Sequence, residues 1–362
     1  MNPEFLSRVQ FALTASFHYI YPPITMGLGL MLVLIGILYV RTRDPKWRQM
    51  SFFWVSVYGL VFALGVASGV VMEFEFGMNW ANYSRFVGNV FGSLLAAEGI
   101  LAFFLEGTFL GLLLFGGNRL GPRMWLLATI LVVFGAHLSA VWIIMANSWM
   151  QTPAGYIVQT TPAPPRAYMT DFWQVLFTPS FIPRILHVLV SAWTVGSGLM
   201  LGVSAYFILR KRHVEMAKAN FKLALVVFTL MAVLNLFVTG RSQVEEVMVS
   251  QPIKFAAFEG LWQTQSCAPM TLLGWVDERS TKTIGLQIPC FASFLAYLNP
   301  NATLTGLDAF PPALYPPVNL VFQTYHVMIN LGVAYVGIGL LGAALYLWKR
   351  KVFEITPVLW LF

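Results

Sequence analysis

Charge is scarce in this chain. Only 10% of its 362 residues are Asp, Glu, Lys or Arg, where a soluble domain carries about 25%. With 58% hydrophobic residues and a mean hydropathy of +0.71, the composition excludes an ordinary soluble protein and implies many membrane spans. Cysteine is nearly absent: Cys267 and Cys290 are the only two. They form no CxxC and no Cys/His zinc spacing. Two states stand open for the pair, a disulfide if they face an oxidising compartment and two free thiols otherwise. The N-terminus lacks a basic n-region and a small-residue cleavage site, so the first apolar run is a retained span rather than a signal peptide. There is no internal repeat of the transporter kind and no low-complexity tract. The net charge of +7 follows from membrane topology and calls for no nucleic-acid partner.

What is present is a series of apolar runs long enough to cross a bilayer. They lie at about 9–40, 52–72, 93–114, 124–145, 182–209, 221–238 and 318–348. A further start at Thr356 ends with the sequence, so the last element reads as incomplete. The predicted fold is an all-α integral membrane bundle of seven spans with the possible start of an eighth. Three regions follow: 1–238 with spans one to six, a long segment 239–317, and 318–362 with span seven. Thirty Phe and twelve Trp suit headgroup belts, lipid-facing packing and the walls of a planar cofactor.

Basic residues set the orientation. Arg41, Arg43, Lys46 and Arg48 follow span one, and Arg119 and Arg123 follow span three. Arg210, Lys211, Arg212 and Lys218 follow span five, and Lys349, Arg350 and Lys351 follow span seven. These short connections are predicted to be cytoplasmic by the positive-inside rule. The N-terminus, the 73–92 connection, the Pro-rich 147–181 loop and the 239–317 segment are then external. The start of that segment, RSQVEEVMVSQPIKFAAFEGLW, reads as an interfacial helix; its remainder reads as irregular.

Two carboxylates stand inside span three, SLLAAEGILAFFLEGTFLGLLL. A charge in hydrocarbon is costly, so Glu98 and Glu106 must face protein, cofactor or water. On an ideal helix eight positions separate them by about 12 Å and about 80°, which allows one shared inner face. Their depths differ: Glu98 lies nearer the outer side and Glu106 deeper.

Four of the five histidines lie in or near spans. His18, His187 and His326 share an outer depth, and Met328 lies beside the last. His137 is deeper and reads as a structural hydrogen-bonder; His213 sits in a basic loop. Histidines at one depth on several helices are how a bundle holds haem. A His–Met pair suits electron transfer, and a His with an open site suits activation of a small molecule. Lys254 and Glu259 flank an apolar patch in QPIKFAAFEGLW and can bind a quinol head group and accept its protons; a surface pair on an amphipathic helix is the alternative.

Several long motifs carry a resemblance that runs over essentially the whole chain. They are LSRVQFALTASFHYIYPPIT, MEFEFGMNWANYSRFVGNVFGSLLAAEGILAFFLEGTF, LSAVWIIMANSWMQTPAG, RILH, QPIKFAAFEGLW and FQTYHVMINLG. In these the chain resembles subunit I of the cytochrome bd-type quinol oxidases. The resemblance implies a quinol:dioxygen oxidoreductase of the bacterial cytoplasmic (inner) membrane, with a low-spin haem b, a high-spin haem b and a haem d. It implies His187 and Met328 as axial ligands of the low-spin haem iron and His18 as ligand of a high-spin haem iron. It places Lys254 and Glu259 at the quinol in an external quinol-binding loop. Glu106, with Ser139 on span four, falls on the proton route from the cytoplasm, and Glu98 beside the high-spin haems. The implied partners are a second multi-span subunit (subunit II), a small single-span accessory subunit, quinol, dioxygen and membrane lipid.

Two departures qualify the resemblance. The family continues into two further spans, the last with a Glu that ligates a high-spin haem, and this sequence stops before them. His326 stands two before Met328, where some members have Arg; it can still bond a haem propionate or the quinol. Two other readings are a diverged or truncated non-catalytic homologue that binds only part of the haem set, and a proton-coupled membrane transporter. Bound haem after mild extraction separates the transporter from the rest.

Overall fold

A computed structural model describes residues 2–161, 163–348 and 351–362. Lys349 and Arg350, expected in the basic cluster after span seven, lie outside the described residues. Among the described residues, seven helices are long and apolar enough to cross a membrane: Pro3–Thr42, Pro45–Gly77, Ala81–Gly116, Pro122–Gln151, Phe181–Leu209, Val214–Ser250 and Val318–Leu347. The seven expected spans are therefore present.

The first span is two helices, α1 (Pro3–His18) and α2 (Tyr21–Thr42), separated at Tyr19 and Ile20. Pro22 and Pro23 in YPPIT have no backbone N–H to donate, so the α1 ladder ends at His18 and a new helix starts. Arg43 adopts φ +57° to close α2. Asp44 then caps α3 (Pro45–Gly77) by accepting the Lys46 N–H at 2.9 Å, with Pro45 at the position where a missing donor costs nothing.

The third span is also interrupted. α4 (Ala81–Ala97) and α5 (Phe104–Gly116) flank a π-helical turn at Glu98–Phe103. Bonding from i to i+5 changes the rotation per residue, and such turns concentrate at functional sites. α6 (Pro122–Gln151) is followed by a hairpin of β1 (Tyr156–Gln159) and β2 (Arg166–Met169) and the short α7 (Phe172–Leu176). α8 (Phe181–Leu209) and α9 (Val214–Leu234) come next. The 147–181 stretch is thus structured rather than a plain loop.

α10 (Gly240–Ser250) continues the helix of α9 after a π turn at Asn235–Thr239, and α11 (Pro252–Glu259) follows. Strands β3 (Gln265–Ser266), β4 (Met270–Asp277) and β5 (Lys282–Ile288), helix α12 (Phe291–Tyr297) and β6 (Thr303–Leu304) lead to α13 (Val318–Leu347) and a final turn α14 (Thr356–Leu359). β4 pairs antiparallel with β5 and β3 with β6. Cys267 and Cys290 are joined in a disulfide.

The chain forms two compact units, Met1–Met231 with Gly339–Phe362, and Ala232–Ile338. In the first, a core of Leu28, Ile35, Met50, Trp54, Tyr58, Met200 and Phe221 fills the space between α2, α3, α8 and α9. α2 and α8 meet at Gly27 and Gly196, where a Cβ on either would collide with the backbone of the other helix; small residues of this kind let membrane helices close up. A second core of Val90, Phe91, Trp149, Ala167, Val175 and Ile185 joins α4 and α6 to the hairpin, α7 and the start of α8. In the second unit, Val247, Phe255, Leu261, Met270 and Ala292 form one core and Ala256, Ala257, Val276, Val318 and Phe322 another.

Candidate functional site

In the first unit His18 is the last residue of α1 and half-buried. Its Nδ1 lies 3.0 Å from the Ser68 Oγ of α3. The single hydroxyl proton of Ser68 is given to the carbonyls of Leu64 and Gly65, both at 3.0 Å. With that proton on the backbone, Ser68 is placed to accept from Nδ1–H, the arrangement that leaves the Nε2 lone pair free. That is the tautomer of an iron-ligating imidazole with an oriented second nitrogen. Gly69 makes room for it: a Cβ there would stand 3.2 Å from His18 Cε1.

His187, in the second turn of α8, has its Nδ1 buried without a hydrogen-bond partner. A half-buried imidazole whose Nδ1 is left this way fits a ligand role, because the unpaired nitrogen is otherwise costly. His137 differs. Its Nδ1 bonds the Val133 carbonyl at 2.7 Å, and its Nε2 accepts the Trp193 Nε1–H at 3.0 Å. Both nitrogens are in use, as a structural histidine requires. His213 is exposed.

The two carboxylates of the third span face different helices. Glu98 accepts from the Ser139 hydroxyl of α6 at 2.5 Å. Glu106, buried in α5, accepts from the Tyr58 phenol of α3 at 2.6 Å. Ser139 thus bonds to Glu98, and Tyr58 is the donor to Glu106. The π turn that starts at Glu98 alters the helical phase between the pair, so the 80° estimate for an ideal helix does not apply. Glu75, near the end of α3, is another buried carboxyl in this unit. Its Oε1 accepts from Gln10 at 2.9 Å and Thr14 at 3.2 Å, while its Oε2 is buried without a partner. The second acid in MEFEF was the signal for it.

In the second unit Glu259 ends α11. Gly260 at φ +61° turns the chain there, and a Cβ would press on Thr283 and Val276. Glu259 is buried and hydrogen-bonded to the Tyr325 phenol. Burial pushes its carboxyl up to about 7, with the Tyr325 bond pulling the other way. Its Oε2 is buried with no partner. Phe258 stacks on Tyr325 with ring centres 4.3 Å apart and planes 2° from parallel. The Lys254 ammonium stands 5.7 Å over the Phe258 ring. Lys254 and Glu259 are therefore not a loose surface pair; they border one aromatic stack. His326 is buried, stacks on Phe322 and shares its Nδ1 with the Phe322 carbonyl at 2.9 Å. Met328, on the same helix, has an exposed thioether side chain. Tyr58, Ser68 and Tyr325 went unread in the sequence, although a hydroxyl inside an apolar span is itself a sign of a buried partner.

Residues 6–362 match the family model for cytochrome bd terminal oxidase subunit I. The chain belongs to that family. It is 37% identical over 365 residues to cytochrome bd ubiquinol oxidase subunit 1 of Bacillus subtilis strain 168, covering 98% of this chain and 76% of that protein. It is 39% identical over 315 residues to cytochrome bd-II ubiquinol oxidase subunit 1 of Escherichia coli K12, covering 86% of this chain and 60% of that protein. The bd oxidase structure from Geobacillus thermodenitrificans superimposes with a TM-score of 0.91 at 25% identity, over 99% of this chain and 82% of that one. As a bd oxidase subunit I with seven membrane-capable helices, the chain is an integral membrane protein of the respiratory type. Members of this family carry haem and work with a subunit II.

Proposed function

We propose that this chain is the haem-bearing catalytic subunit of a quinol:dioxygen oxidoreductase, in which two quinols and one dioxygen give two quinones and two waters. Glu259 carries the reading. It is a buried carboxyl outside the spans, titrating near neutrality, with one oxygen left for a donor and an aromatic stack beside it. A base poised near the working pH is what proton removal from a quinol hydroxyl needs. Lys254 supplies a cation for the head-group oxygens across the same stack.

The proposed haems are a low-spin b, a high-spin b and a d, which supply electron transfer and dioxygen binding when bound. His187 and Met328 are assigned to the low-spin iron on the resemblance of their motifs, and His18 to a high-spin iron on its motif and its tautomer. Ser68 orients the His18 ring. Glu106, anchored by Tyr58, passes protons inward from the cytoplasm. Glu98, anchored by Ser139, lies at the haem end of the span. With quinol protons released outside and substrate protons drawn from inside, turnover charges the membrane. The disulfide Cys267–Cys290 supports an external, oxidising location for the 239–317 quinol-binding loop, and with it an external N-terminus in the bacterial inner membrane. A subunit II, and a small accessory subunit, complete the proposed complex.

The test is quinol-dependent oxygen consumption by the purified complex. The expected result is turnover that Glu259→Gln reduces by about 100-fold or more, the usual worth of a positioned base, with haem spectra unchanged. Full turnover in Glu259→Gln would remove the quinol assignment.

A further inference from the structure

Tyr325 presents a phenol where packing asks only for a ring. Its face lies on Phe258, and a phenylalanine would stack equally well. The hydroxyl goes to Glu259. A buried phenol needs a partner, but nothing in the packing required this position to carry one. The informative atom is therefore the Tyr325 oxygen and what it does to the carboxyl.

A carboxylate has two oxygens that can each accept a proton. At Glu259 one oxygen is engaged by Tyr325 and Oε2 is open, buried and without a partner. We infer that Tyr325 is a positioning residue for quinol oxidation: its O–H holds one oxygen of Glu259 so that Oε2 is the atom that receives the quinol proton. In that step the quinol O–H bond breaks, an O–H bond forms at Oε2, and a quinolate is left beside the Lys254 cation. The inference rests on the proposed quinol site at Glu259.

The surroundings leave Tyr325 as the group that tunes the acid. Lys254 is on the same helix and directed over Phe258. From α13, His326 lies with its ring centre 5.4 Å from that of Tyr325 and bonds the Phe322 carbonyl. α10 packs against α11 and carries Arg241, Glu245 and Glu246, of which Arg241 and Glu245 pair with each other. Asp308, in the turn that packs on α11, is bonded to Thr264. The strands opposite Gly260 present the uncharged Thr283 and Val276. Burial raises the Glu259 carboxyl to about 7, and the Tyr325 hydrogen bond stabilises its ionised form against that rise.

Steady-state quinol oxidation by the intact complex, measured across pH, tests the role. The wild type is expected to lose activity as pH falls through about 7. In Tyr325→Phe the acid limb is expected about one pH unit higher, the equivalent of one lost hydrogen bond. The low-spin haem spectrum stays unchanged, and the whole limb moves toward higher pH, a shift that a packing defect would not produce. If the limb stays in place in Tyr325→Phe but vanishes in Glu259→Gln, Tyr325 has no positioning role while the Glu259 site stands. If Glu259→Gln keeps the wild-type pH profile, the quinol reading itself falls and takes the inference with it. Should Tyr325→Phe fail to retain haem, redox-difference infrared spectra of the wild type decide the point. The carboxylic C=O band that disappears in Glu259→Gln must lie at the frequency of a hydrogen-bonded acid; a band at the free-acid frequency overturns the inference.

Discussion

The Ser68 hydroxyl stands 3.0 Å from Nδ1 of His18, with the Leu64 and Gly65 carbonyls of α3 in reach of its own proton. The bond fixes both the tautomer and the tilt of the ring. Outer-shell partners of this kind are worth about 10–100-fold in metal affinity or activity. Ser68→Ala is therefore expected to lower retention of the high-spin haem within that range while the low-spin band keeps its intensity. Haem-to-protein ratios after detergent washing measure it; unchanged retention would mean that Ser68 does not orient the ring.

Tyr58 and Glu106 make a separate prediction. The phenol is fully buried and spends its proton on the carboxyl. Tyr58→Phe leaves a buried carboxyl short of a donor, a loss of about 1.5–3 kcal/mol if the group is charged. Oxygen consumption is expected to fall about tenfold in Tyr58→Phe, by the same hydrogen-bond arithmetic, and further in Glu106→Gln, with haem content normal in both. Equal rates in wild type and Glu106→Gln would take Glu106 off the proton route.

The Gly27–Gly196 crossing sets the spacing of α2 and α8. Gly196→Leu must push the helices apart, since a Cβ already meets backbone. Its thermal unfolding is expected well below that of wild type. Gly111, on α5, has no heavy atom near its missing Cβ, so Gly111→Ala stays within about 1 kcal/mol of wild type. Similar melting of the two variants would contradict the packing.

The disulfide predicts that Cys267 and Cys290 resist maleimide until a reductant is added. A loop closed over 23 residues restrains the unfolded segment by about 3 kcal/mol. Proteolysis between 260 and 310 should therefore quicken on reduction. Labelling without reductant would show free thiols.

The spans were legible because hydrocarbon demands runs of apolar residues, and no tertiary contact can override that demand in a bilayer. The break after His18 was also written locally, in Pro22 and Pro23, although the apolar run hid it. The π turn at Glu98 was not legible. It depends on how α4, α5 and α6 pack, and it decides which helix each carboxylate faces. At Glu259 the sequence supplied the Lys and the Glu in one short segment. Their common aromatic wall needed Tyr325, which lies 66 positions further on (325 − 259) and which no local pattern links to them.

His18, His187 and Met328 are the proposed haem ligands of this chain. The most direct measurement is the haem content, by pyridine haemochrome, and the reduced-minus-oxidised spectrum of the complex purified with its partner subunit. Bound haem is expected, with a low-spin b band lost in both His187→Ala and Met328→Ala and a high-spin signal lost in His18→Ala alone. A haem-free wild-type complex, or a low-spin band that survives both His187→Ala and Met328→Ala, would contradict it.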